Sequence, residues 1–266
     1  MAMIEEAFKG HDPELAQYDM PVEQYAEILS KLKPAFIHHP DSKKHITQML
    51  EELGCDPDKV HFDVPRMRSS TSDNYLTSGI AYAFHPHRDT WYSAAPCQVN
   101  WWMPIYPVTK DNAMSFHPHY WDNPVKNNSC DYDYYNWNRT SRVDAAKHIK
   151  SDTRVQPKPQ EEMTLDPQIR LITPPGGAIA FSAAQMHASV PNTSGRTRFS
   201  IDFRTVHIDD AADGKGAPNI DSACTGTALR DFLRMRDLER VPDSVAERYD
   251  EGASATGVKV YAPTTT

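Results

Sequence analysis

From about Val60 to Val206 the sequence breaks into short apolar runs parted by Pro, Gly, Asn and Asp: HFDVPRMR, GIAYAFH, CQVNWWMPIY, AMSF, IRLIT, GAIAFS, MHASV and TRFSIDFRTV. Runs this short and this regularly interrupted read as strands. Eight of them in one stretch predict a β-sandwich of the jelly-roll kind. The 21 prolines against 11 glycines suit many short, stiffened connections.

Residues 1–55 have a different texture. Val22, Tyr25, Ile28, Leu29 and Leu32 recur at three- and four-residue steps, Ile46, Met49, Leu50 and Leu53 repeat the pattern, and Gly54 closes it, which predicts two helices. Between Tyr120 and Leu165 no strand pattern holds, and YWDNPVKNNSCDYDYYNWNRT is rich in aromatics and turn formers. This reads as an insertion between strands, over about 120–165. It is either a lid or binding segment, or a loop that Trp121, Tyr134, Tyr135 and Trp137 fasten to the sandwich or to a second copy. After Val206 the pattern predicts one helix over Thr227 to Leu238 and then a polar tail. The whole is expected to be mainly β (α+β). At roughly 150 residues per domain, a 266-residue chain is expected to be a single domain: 1–55 N-terminal helices, 60–206 jelly-roll core with its insertion, and 207–266 C-terminal helix and tail.

A formal charge of −8 argues against a surface made to hold phosphate backbones, so no nucleic-acid partner is expected. No run approaches the roughly 20 apolar residues of a membrane span, and the acidic start MAMIEEAFKG lacks the pattern of a signal peptide. Cys55, Cys97, Cys130 and Cys224 are widely spaced and form no C-x-x-C pair, which fits reduced thiols in a cytoplasmic protein. The N-x-S/T triplets at Asn127, Asn138 and Asn192 are then chance matches. A small-molecule substrate is the expected partner, and a homo-oligomer is compatible with this reading.

Chemistry concentrates in two places. In AYAFHPHRDTWY, His87 and Asp89 are two apart, so an extended backbone turns both to one side, where they can offer an imidazole and a carboxylate to a single metal. A hundred residues on, GGAIAFSAAQMHASV places His187 on a short apolar strand. Two histidines and a carboxylate on one face of an octahedron leave three positions open, an arrangement that suits Fe(II) oxygenases. Arg198, Ser200, Asp202 and Arg204 alternate with Phe199, Ile201 and Phe203, giving that strand one polar face. A buried Arg198 needs an anionic partner, and its planar fork matches a carboxylate. Ser189 shares the parity of His187 and can reach the same carboxylate. These features describe a site for a metal and a dicarboxylate chelator.

The segments around His87-Arg88-Asp89, QVNWWMPIYPVTKDNAMSF and GGAIAFSAAQMHASVPN followed by RFSIDFR resemble the Fe(II)/2-oxoglutarate-dependent oxygenases, in their phytanoyl-CoA dioxygenase-like branch. The resemblance runs over about Val60 to Val206 and implies a double-stranded β-helix, a variety of jelly roll. It implies that His87, Asp89 and His187 bind Fe(II), and that Arg198, with Ser189, grips the remote carboxylate of 2-oxoglutarate. It also implies that O₂ and the keto acid drive oxidation of a small molecule, as in natural product biosynthesis. Lys110 to Ala113 and His117-Pro118-His119 depart from the family's usual turn residues. Related halogenases replace the carboxylate ligand with Gly or Ala, so an intact Asp89 points to a hydroxylase.

Gln98, Asn100 and Trp102 share one face of their strand. They either look into the cavity, Gln98 toward the co-substrate and Asn100 and Trp102 toward the substrate, or face a solvated seam. Arg88, Trp91 and Tyr92 are substrate-contact candidates by position, as is His117, while His85 is placed to orient a metal ligand. Arg66 and Arg68 could attract an acidic substrate, and Arg196 or Arg204 could replace Arg198 as the clamp. Two other readings remain at this point: a catalytically silent jelly-roll binding module, and a cupin-like metalloenzyme that does not use 2-oxoglutarate.

Overall fold

Three helices lead the computed structural model, which describes residues 1–77, 80, 85–141, 151–152, 154 and 156–250: α1 (Ala2–Ala7), α2 (Val22–His38) and α3 (Pro40–Glu52). Pro40 opens α3 where an N–H would lack an intrahelical partner, the His39 ring accepts from the Asp41 amide, and Gly54 turns the chain at φ 83°. Nine strands follow among the described residues: β1 (Val60–Phe62), β2 (Arg66–Ser70), β3 (Val99–Pro104), β4 (Met114–Phe116), β5 (Ile169–Leu171), β6 (Ile179–Ser182), β7 (His187–Ser189), β8 (Arg198–His207) and β9 (Leu233–Arg234). They form two antiparallel sheets. The larger has the order β6-β3-β8-β1-β9, with β2 also paired to β8, and the smaller is β5-β4-β7. Trp102 and Ile179 of the first pack on Met114 and Phe116 of the second, which is the core between the layers. The molecule is a jelly roll, as the strand pattern predicts.

The alternation along β8 explains the layering. Phe199 and Phe203 are completely buried under the helices, Phe199 with Tyr25, Leu29 and Met67, and Phe203 with Ile46, Leu50 and Phe62. Trp101 stacks on Phe203 with ring centroids 5.7 Å apart. The even residues face the other way, so that Arg198 donates across to the Asn112 carbonyl at 2.9 Å beside the small sheet.

Several expectations change on the structure. HFDVPRMR is two strands, not one, because Pro65 lacks a ladder donor. Asp63 bridges the gap by accepting the Arg204 amide on its side chain at 2.7 Å. The helix expected over Thr227 to Leu238 is instead a 3₁₀ turn, Ala228–Asp231, followed by β9, which pairs with β1. Leu238 turns the chain back at φ 62°. The three- and four-residue spacing of Leu229, Phe232 and Leu233 serves tertiary pairing there. The expected strand GIAYAFH lies outside the described residues except for Ile80 and His85, as do residues 142–150 of the insertion and the tail from 251.

The described part of the insertion carries α4 (Tyr134–Asn136), with Tyr134 and Tyr135 buried and Trp121 exposed. After β8 come α5 (Ile208–Asp213) and α6 (Asp243–Ala246). All four cysteines are free. Among the described residues no helix is long and apolar enough to cross a membrane.

Phe203→Ala removes a ring that the sheet and α3 share, and is expected to cost about 3–5 kcal/mol of stability, read as a lower urea midpoint with an unchanged slope.

Candidate metal centre

His87 and His187 face each other as one antiparallel backbone pair. Each amide donates to the other's carbonyl, at 2.9 and 3.0 Å, so residue 87 adds a last rung beside β7. Both rings are held alike. His87 Nδ1 lies 2.8 Å from the carbonyl of His85, and His187 Nδ1 lies 2.9 Å from that of Gln185. A carbonyl only accepts, so each ring donates from Nδ1 and turns its Nε2 toward the site. The two Nε2 atoms converge on Asp89 Oδ1, which is 3.3 Å from His87 Nε2 and 3.8 Å from His187 Nε2. All three side chains are buried, and their ligand atoms lie within 4.8 Å of one another. Two imidazole nitrogens and a carboxylate oxygen facing one point are a donor set that could hold a cation.

The protonation states agree. Burial, and then the neighbouring His87 ring, pulls the His187 imidazole down to about 4. Burial opposes the charge on Asp89, but the His87 ring and the Arg204 guanidinium outweigh it and hold that carboxyl well below the usual carboxylate range. A neutral imidazole and an ionised carboxylate are the forms that bind a divalent ion.

Asp89 is fixed from both ends. Its amide donates to the Ala183 carbonyl at 2.9 Å, and its Oδ2 lies 3.6 Å from Arg204 Nε. Arg204 is braced in turn by Asp63, Nη1 to Oδ2 at 3.0 Å, and Asp202 is held by both forks of Arg68 at 2.9 and 3.0 Å. Arg66 and Arg68 are therefore engaged with Asp63 and Asp202.

Arg198 is buried, 5% exposed, and forms no ion pair among the described residues. It donates to the Asn112 and Ala113 carbonyls and reaches Ser189 Oγ at 3.5 Å, and its guanidinium lies 5.5 Å from the centre of the Trp102 ring. Its Nε has no hydrogen-bond partner, nor has the buried Ser200 Oγ two residues along. Burial outweighs the opposing Asp202 carboxylate and pulls this guanidinium down to about 10. Two buried polar atoms without hydrogen-bond partners, beside a guanidinium that makes no ion pair among the described residues, could take an anionic, oxygen-rich group. Gln98, Asn100 and Trp102 are all buried, so their face looks inward and not onto a solvated seam. Gln98 Nε2 donates to Asn100 Oδ1 at 2.8 Å, and Asn100 lies across the ladder from Arg204.

Other candidates are placed differently. Arg88 is turned away from the triad and is only 1% exposed. It pairs with Asp221 at 3.1 Å and donates to the carbonyls of Ala184, Tyr120 and Asn123. Trp91 donates to the same Asp221 at 2.7 Å. These two hold the insertion and the 221 segment together, and the structure does not bring them to the site. Tyr92 does stand there, its ring 5.4 Å from that of His87 and its hydroxyl donating to the Pro157 carbonyl. His85 contacts that same carbonyl through its ring and supports His87 through its own carbonyl. His117 is buried with Nδ1 3.1 Å from the Leu165 carbonyl, and His119 reaches the Thr164 carbonyl, so both hold the 164–165 segment. Arg196 is an exposed partner of Glu14. Asp221 carries no motif signal, since Arg88 and Trp91 stand more than a hundred residues away, and nothing local beyond Arg66 ties Asp63 to Arg204; only the shared parity with Arg198 marks Arg204.

The family model for phytanoyl-CoA dioxygenase (PhyH) matches residues 5–200. No protein of curated function matches the chain. Among solved structures, the chain resembles EvdO2 from Micromonospora carbonacea var. aurantiaca at 13% identity and TM-score 0.39, over 62% of this chain and 64% of EvdO2, which is just under two thirds of that protein. It also resembles apo ThoJ, described as a non-heme monooxygenase, at 13% identity and TM-score 0.42, over 92% of this chain and 78% of that one. SnoN, an alpha-ketoglutarate-dependent epimerase from nogalamycin biosynthesis, matches at 14% identity and TM-score 0.36, over 84% and 76%.

Asp221→Ala strands the buried Arg88 charge and is expected to cost about 3–5 kcal/mol of stability, measured by urea denaturation.

Proposed function

Because the chain belongs to the phytanoyl-CoA dioxygenase family, we propose that it is a non-haem Fe(II)/2-oxoglutarate-dependent oxygenase that hydroxylates a C–H bond of a small molecule in specialised metabolism. Fe(II), 2-oxoglutarate and O₂ are the cofactor set that this family and the His87–Asp89–His187 donors support. The observation that carries the reading is Arg198, because a metal site alone would not require a buried guanidinium nearby whose Nε has no partner.

In this reading His87 Nε2, Asp89 Oδ1 and His187 Nε2 hold the iron. Ser189 stands two residues beyond His187 on β7, about 7 Å along a strand, and touches Arg198. A five-carbon dicarboxylate can span that interval, one end at the metal and the other on the guanidinium and the Ser189 hydroxyl. Gln98, bonded to Asn100, walls the same inner face and is assigned to the co-substrate. Asn100, Trp102, Tyr92 and the turn at His117 border the space left for substrate. When bound, iron and the keto acid supply the oxidising power, and the protein supplies position and exclusion of water. Asp89 supports hydroxylation over halogenation, since its carboxylate fills the place that a halide would need.

His87→Ala and Asp89→Ala are each expected to abolish tight Fe(II) binding in calorimetry, because each removes a donor. Arg198→Ala is expected to leave Fe(II) binding in place and weaken 2-oxoglutarate by about 30-fold or more, the equivalent of roughly 2 kcal/mol for truncating a buried charge partner. The anaerobic Fe(II)–2-oxoglutarate charge-transfer band, titrated with the keto acid, measures it. An unchanged midpoint in Arg198→Ala, or no band in folded, iron-loaded wild type, overturns this reading.

A further inference from the structure

We infer that Arg204 is a positioning residue that confines Asp89 to a single metal-ligating oxygen. The two carboxylate oxygens of Asp89 have different surroundings. Oδ1 faces Nε2 of both histidines, at 3.3 and 3.8 Å. Oδ2 faces Arg204 Nε, at 3.6 Å. A carboxylate can give a cation one oxygen or two. Here the second oxygen lies against a fixed positive charge, and turning it toward the ion would break that contact in a buried site where charge pairs are strong.

The guanidinium cannot follow such a turn. Asp63 holds Nη1 through Oδ2 at 3.0 Å and accepts the Arg204 amide on Oδ1 at 2.7 Å, tying the side chain and its own backbone to one carboxylate. Asp202 stands 3.8 Å from Nη2 on the remaining side and is itself gripped by Arg68. Arg204 thus sits among three carboxylates, those of Asp63, Asp202 and Asp89, and meets the last at its outer oxygen. These contacts raise the Arg204 guanidinium above its ordinary range despite burial. Balance of Asp63 and Asp202 would require a cation in this region, but it would not require that cation to meet the oxygen that points away from the histidines.

The consequence is the number of coordination positions left open. With one oxygen from Asp89, three remain; with two oxygens, one is lost. The inference rests on the reading of His87, Asp89 and His187 as a metal centre, and the test separates the two. Mn(II) is added anaerobically to wild type, Arg204→Met and Arg204→Lys without 2-oxoglutarate, and metal-bound water is counted by water-proton relaxation. Arg204→Lys keeps the buried charge, and so the fold, but puts a single nitrogen where Arg204 meets Asp89 through Nε and Asp63 through Nη1.

Wild type is expected to hold about three waters and both variants about two, a fall of roughly a third set by the three open positions of a two-histidine, one-carboxylate site. Mn(II) is still bound in every case. Folded variants that keep the wild-type water count overturn the assignment of Arg204 and leave the metal reading standing. Wild type that takes up no Mn(II) overturns the metal reading, and this inference with it.

Discussion

A strand that carries aromatic rings on one side and charge on the other must have both sides covered by different things, and β8 imposes that requirement on the whole molecule. Its phenylalanines call for the helical layer, where Tyr25, Leu29, Ile46 and Leu50 close over them. Its Arg198, Asp202 and Arg204 call for an interior that can solvate charge without water. β3, β2 and β1 all pair with this one strand, so the inner side chains of these strands are referred to a single backbone.

That interior is unusual for a β-sandwich, whose core is normally apolar on both inner faces. Here the apolar part is Trp102, Met114, Phe116 and Ile179. Alongside it runs a ladder of arginines and aspartates. Such groups are costly to bury and add little to stability when compared with hydrophobic replacements, so their presence is better explained by what they hold than by what they stabilise. They hold Asp89 at one end and leave Arg198 without an anion at the other.

Much of this was legible in the chain. His87 and Asp89 can be paired from their spacing alone, and the parity of β8 separates Arg198 and Arg204 from Phe199 and Phe203 without any structure. Pairing His187 with them needs the strand order, because the rung between residues 87 and 187 joins segments a hundred positions apart. Arg88 and Trp91 show the limit of reasoning by proximity. They flank Asp89 in sequence, yet the turn that begins at Asp89 sends them toward Asp221, whose role no local pattern announces. The C-terminal segment shows another limit: periodic Leu229, Phe232 and Leu233 satisfy a helical template, but an unpaired edge at β1 offers better partners for their backbone.

The hydrogen bonds from the histidine rings to the carbonyls of His85 and Gln185 have a consequence for what orients the two rings. Each ring is pinned through Nδ1 by a carbonyl only two residues back along the chain, so its tilt is inherited from the local backbone. The aim of both Nε2 atoms is therefore written into two short chain segments and owes nothing to whatever they hold.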